Sequence, residues 1–277
     1  MNTFRLVFHL LGTTLLVLLV LPLVTMILRA DHNILLTTLG DREVVTSILL
    51  TLRCALWATL GGLFFGVPLA YLLAHRSFPG KSIVEGLIDL PVMIPHTAMG
   101  VALLMTYGKK FMLGNFFQRL GLSFISTEAG ISLAMAYVSI PFLVNAARDG
   151  FAALDPQLEK AATMLGASPR QVFFRVSLPL CRHAILTGAI MMWARGISEF
   201  GAVVILAYHP MVAPILLWER FQSYGLAYAR PVAVLLIIIC LAIFALLRFL
   251  AARRLPGEKN RAARATAGRF SRNSRRD

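Results

Sequence analysis

Six apolar runs, each long enough to cross a bilayer, govern what this chain can become. They cover about 6–28, 44–73, 88–107, 129–147, 183–208 and 231–250. A hydrocarbon core about 30 Å thick needs roughly 20 apolar residues per helix. Within it a backbone finds no water, so an open chain crosses only as helices that satisfy their own hydrogen bonds. With 58% apolar and 14% charged residues in 277, the composition excludes a soluble domain of this size. No convincing small-residue cleavage site follows the first run, which therefore reads as a retained span and not a removed signal peptide. The expectation is an all-α polytopic membrane protein: a membrane domain over 1–250 and a basic tail over 251–277.

Basic residues set the orientation. With the N-terminus in the cytoplasm, the inside segments carry Arg5, Arg76, Lys81, Arg148, Lys160, Arg170, Arg175, Arg182 and the dense basic run from Arg248 onward. The outside loops carry Arg29, Arg42, Lys109, Lys110, Arg119, Arg220 and Arg230, and the bias places both termini in the cytoplasm. Much of the net charge of +14 lies in the tail, which is poor in apolar residues and predicted to be disordered. Beside a span, such a tail meets anionic lipid headgroups, and nucleic acid is not expected as a partner. Cys54, Cys181 and Cys240 fall in or beside separate spans without metal-ligand spacing and read as buried apolar residues.

Between the fourth and fifth runs lies a capped, partly polar segment, about 151–179. Asp155-Pro156 has the form of an N-cap followed by proline at the first helical position. Leu158, Ala161, Ala162 and Leu165 then form a narrow apolar stripe at helical spacing. Gly166 ends that helix with a sharp turn, and Ser168-Pro169-Arg170-Gln171 opens another with the spacing of a capping box. The second helix is expected to stop before Pro179. Two short helices meeting at Gly166 would form a stiff knob able to receive force from a soluble partner.

The third run contains Asp89-Leu-Pro91-Val-Met-Ile-Pro95-His96-Thr97. Either the two prolines loosen a helix already inside the membrane, or the helix begins at Pro95 and Pro91 lies in a polar turn. In the fifth run Arg195 and Glu199 are four apart, share a helix face and can pair. Arg53 is a second candidate partner for Glu199. Each buried charge costs roughly 2.5–3.5 kcal/mol at the bilayer centre. One reading is a structural ion pair. The other places Thr97, Arg195, Ser198 and Glu199 on a translocation path or its gate, Arg195 attracting an anion and Glu199 preventing overly tight binding. His96 and His183 read as isolated interfacial or core residues.

Catalytic signatures are missing. Gly80-Lys81-Ser82 is no phosphate loop, because the position five residues before Gly80 is His75. There is no His-Glu-x-x-His and no Gly-x-Ser-x-Gly. The chain is expected to hold no catalytic residues, metal or cofactor, and ATP chemistry would come from another chain.

Three blocks carry a family resemblance. Leu158-Glu159-Lys160-Ala161-Ala162-Thr-Met-Leu165-Gly166-Ala167-Ser168-Pro169-Arg170-Gln171, with Val176-Ser-Leu-Pro179 beyond it, resembles the "EAA loop" of ATP-binding-cassette importer permeases. Family members usually have Glu directly before the Ala pair, whereas here Lys160 stands there and the acid is Glu159. Ser77 to Thr97, and Trp193-Ala-Arg-Gly-Ile-Ser-Glu-Phe-Gly-Ala-Val-Val204, look like the molybdate and tungstate branch. Sulfate and thiosulfate permeases share a similar Arg-Gly-x-x-Glu-aromatic-Gly pattern. The resemblance implies a type I importer (MetI-like) permease fold in the inner, plasma membrane of a bacterium or archaeon. It further implies a second permease copy forming a homodimer and two ATPase subunits holding ATP and Mg. Those subunits would dock on Leu158 to Gln171, and an extracytoplasmic protein would deliver the oxyanion. An ion-coupled secondary carrier is the alternative of a different class; it leaves the capped loop unexplained.

Overall fold

The computed structural model describes residues 3–29 and 32–253; the tail read as disordered lies outside them, apart from 251–253 at a helix end. Among the described residues every regular element is helical. α1 (Thr3–Leu28), α3 (Arg42–His75), α7 (Glu128–Ala152) and α13 (Leu226–Arg253) match four of the apolar runs. The third run is a bent pair, α4 (Lys81–Met93) and α5 (His96–Tyr107), whose axes differ by 114°. α2 (His32–Gly40) and α6 (Met112–Arg119) are short connecting helices.

The fifth run departs from a single span over 183–208. α9 (Pro169–Val172) passes through a π turn (Phe173–Ser177) into α10 (Leu178–Ile197), giving one helical run from Pro169 to Ile197. It does not stop before Pro179. In the wider turn the Leu178 N–H bonds the Phe173 carbonyl, and this widening directly before Pro179 accommodates a residue that has no N–H to give the ladder. The helix instead ends at Ile197, ahead of the buried Glu199, and α11 (Gly201–Leu206) and α12 (Ala213–Tyr224) follow.

α3, α7 and α10 form the centre. Val67, Ala70, Leu73, Leu143, Val144, Ala147, Cys181 and Ile185 make the core of one half, and Cys54, Ala55, Ala58, Ile131, Ala134, Met135 and Trp193 that of the other. In lipid the hydrophobic effect does not drive helices together, so close packing of small residues must. A Cβ on Gly188 would lie 2.9 Å from Ala146 Cβ and 3.1 Å from the Leu143 carbonyl oxygen; α7 and α10 can be this close because no side chain separates them. At the opposite end of α3 from His75, Val44, Ile48, Ala213, Leu216, Val232 and Leu235 join α3, α12 and α13. There Arg220 reaches Asp41, the N-cap of α3, at 2.6 Å and Glu43 at 3.0 Å. The Arg220 bond holds the Asp41 carboxyl below its ordinary range, against an opposing effect of burial. That tie is therefore present at neutral pH and lost as pH falls through the lowered value. α1 is exposed along most of its length and meets α13 near its C-terminal end, where Met26 and Ile27 are half-buried.

The break in the third span occurs at Pro95 alone. Pro95 drives the preceding Ile94 to extended backbone (φ −82°, ψ 138°) and has no N–H to continue a helix. Pro91 stays inside α4 and is buried, so it does not lie in a polar turn, whereas a new helix does begin after Pro95, which is the N-cap of α5.

Gly188→Ala is expected to lower the thermal midpoint of the purified chain, by an overpacking cost of about 1–3 kcal/mol. Gly61→Ala, where an added Cβ meets nothing within 4 Å, should leave that midpoint unchanged or raise it.

Candidate functional site

Two places bring the sequence-predicted residues together. The first is the hairpin at the end of the bundle where α3 finishes. Phe151, buried, anchors the end of α7. Asp155 then caps α8 (Pro156–Met164), its carboxylate accepting the Gln157 N–H at 2.9 Å, with Pro156 in the first turn. Gly166 (φ +86°) closes the helix in the left-handed region that only glycine enters freely. Its N–H bonds the Thr163 carbonyl and that of Ala167 the Ala162 carbonyl, the paired bonds of a Schellman turn. One residue later Ser168 and Gln171 form both bonds of a capping box.

The stripe of Leu158, Ala161, Ala162 and Leu165 is not a core face. α8 buries no residue; Leu158 is 47% exposed, and Met164 and Leu165 are each 89% exposed. On a hairpin with both caps closed, these apolar side chains stay bare within the chain. Lys160, Ser168, Pro169 and Gln171 are also exposed, and Ala167 is half-buried. Glu159 points the other way. Its Oε2 lies 3.0 Å from His75 Nε2, and its Oε1 accepts the Ser177 hydroxyl.

The second place lies where two broken helices meet. α5 starts after Pro95, and α10 ends at Ile197 before α11 begins. Gly201 seals the junction, since a Cβ there would sit 2.8 Å from His96 Cβ. Glu199 is fully buried in this seam. Its Oε1 accepts the Ala202 N–H at 2.8 Å, which caps α11. Its Oε2 is 3.1 Å from both Arg195 Nη2 and His96 Nδ1, yet neither contact has the alignment of a hydrogen bond. The guanidinium spans the node: Nη2 lies 3.0 and 2.9 Å from the two ring nitrogens of His96, and Nη1 donates to Ser198 Oγ at 3.2 Å. Thr97 and Ser198 are exposed beside it.

The pairing of Arg195 with Glu199 matches the spacing, although Glu199 stands beyond the helix end and not on its regular face. Arg53 does not reach Glu199; it pairs with Glu128 at the start of α7. His96 is not isolated. Sequence reasoning missed it and His75, and in both cases a polar residue at a helix terminus beside an apolar run was the available signal.

Arg195→Ala leaves the Glu199 carboxylate with one fewer cation and should cost about 3 kcal/mol, the low end for a buried pair because Arg195 is partly exposed. Arg195→Ala combined with Glu199→Gln should recover most of that loss in thermal unfolding.

The model for the family described as "Binding-protein-dependent transport system inner membrane component" matches residues 62–256. The molybdate/tungstate transport system permease protein WtpB of Thermococcus kodakarensis is 43% identical over 249 residues, covering 89% of this chain and 96% of that protein. A probable sulfate transport system permease protein, cysT of Chlorokybus atmophyticus, is 33% identical over 230 residues, 80% of each. Among solved structures, a bacterial alginate ABC transporter in complex with alginate pentasaccharide-bound periplasmic protein shares the fold. Its TM-score is 0.71 at 17% identity, covering 91% of this chain and 96% of that one.

Proposed function

Because this chain belongs to the family of binding-protein-dependent transport system inner membrane components, we propose that it is the membrane-spanning permease of an ATP-driven oxyanion importer with molybdate and tungstate as cargo. It is an ABC transporter permease subunit that crosses the inner membrane several times. The observation that carries the cargo assignment is the identity to a molybdate/tungstate permease along nearly the whole chain.

In this reading two copies of the chain enclose one pathway, an extracytoplasmic protein delivers the anion, and two ATPase subunits sit below. ATP and Mg on those subunits supply the energy. This chain contributes the lever: Leu158, Met164 and Leu165 enter a groove on each ATPase, and the hairpin carries its displacement into the bundle. Alternating access then follows from rigid-body motion between two states. The seam holding Thr97, Arg195, Ser198 and Glu199 is the gate. Arg195 draws in a dianion, while Glu199 keeps the cation partly neutralised so that the anion leaves again. A second reading, a sulfate or thiosulfate permease, draws on the likeness to the sulfate relative.

The test is reconstitution with the partner ATPase and binding protein in liposomes. ATP-dependent uptake of molybdate and tungstate, unaffected by excess sulfate, is the expected result. Equal uptake of sulfate would favour the second reading, and uptake without any ATPase would overturn both. In the same system Gly166→Ile forces a β-branched residue to φ +86°, at a strain of order 1–3 kcal/mol. ATP hydrolysis should continue while uptake per ATP falls severalfold and the chain remains inserted.

A further inference from the structure

We propose that Glu159 is the positioning residue through which displacement of α8 reaches two membrane spans at once; the inference rests on the permease reading above. α8 is poorly seated on the bundle. It buries no residue, and an open groove of about 540 Å3, whose lining includes Tyr71, Glu159, Lys160, Thr163, Pro169 and Val172, lies along it. Against that background Glu159 is turned inward, its side chain 17% exposed. One carboxylate oxygen meets His75, the last residue of α3, and the other meets Ser177, the last residue of the π turn that feeds α10. Three elements converge on one side chain.

The chemistry at this point is constrained. His75 Nδ1 lies 3.0 Å from the Tyr71 carbonyl, which can only accept, so Nδ1 donates. Nε2 then faces a carboxylate oxygen of Glu159 at 3.0 Å. The surroundings are stiff. The Tyr71 ring lies 4.2 Å from that of His75, 5.2 Å from Phe151 and 4.9 Å from Phe173, and Ser177 is fully buried. A load on α8 is therefore not absorbed in loose side chains. It arrives at the end of α3 and at a π turn, where the hydrogen-bond ladder of the long helix is already widened. Lys160, where family members usually carry the acid, is exposed and takes no part in this contact.

The experiment uses the full complex in liposomes, measuring both oxyanion taken up and ATP hydrolysed, with co-purification of the ATPase as the control for assembly. Glu159→Ala should retain the ATPase and hydrolyse ATP, yet deliver about tenfold less anion per ATP, within the usual span of coupling between sites. His75→Gln should do the same, and His75→Arg, which sets a hydrogen-bonding cation against the carboxylate, should restore coupling. If Glu159→Ala fails to assemble, Ser177→Ala decides, because it removes the carboxylate's bond to the π turn and leaves its contact with His75 in place; severalfold lower uptake per ATP supports the proposal. An unchanged ratio in whichever variant assembles overturns it, as do uptake and hydrolysis falling in proportion. Should the unaltered complex show no ATP-driven uptake, the permease reading itself fails, which is a separate outcome.

Discussion

A bilayer offers the backbone no hydrogen-bond partner, so every interruption of a membrane helix must be satisfied from within the protein. Among the described residues two such interruptions, at Ile94–Pro95 and at Ser198–Phe200, meet in one seam. Pro95 has no N–H to strand. Glu199 accepts the Ala202 N–H that the second break exposes, and its other oxygen sits between Arg195 and His96 across the seam. The charges are thus inseparable from the backbone geometry. Taking away one break would leave the buried carboxylate of the other without its surroundings.

The two ends of the bundle are held differently. At the start of α3, an apolar cluster and the Arg220 ties join α3 and α12 firmly. At the other end, α8 is capped at both termini but bares its apolar side chains and leans on the bundle chiefly through Glu159. A rigid element weakly attached to its own protein suits reception of movement from elsewhere. The continuous helix from Pro169 to Ile197 then joins the hairpin to the seam, so the two candidate sites share one rod.

Much of this was legible in the sequence because the signals are local. Apolar runs gave the spans, Asp155-Pro156 the start of α8, Gly166 its end, and Ser168 with Gln171 the capping box. The misread portions depend on tertiary satisfaction. Pro179 looks like a stop, yet a π turn absorbs it. Pro91 and Pro95 look alike, yet only the second breaks the helix. Arg53 looked available to Glu199, but Glu128 at the start of α7 lies nearer. His75 and His96 gain meaning only from partners 84 and 103 residues away, Glu159 and Glu199, distances at which no periodicity speaks.

The tightness of the hairpin turn also constrains evolution. A single residue, Ala167, separates the glycine that closes one helix from the serine that opens the next. Each amino acid added to a helix rotates every later residue by about 100°. Lengthening the path from Glu159 to Ser177 by even one would swing the hydroxyl away from its carboxylate. Descendants of this gene can exchange letters along the stretch, but insertions and deletions should be purged from it.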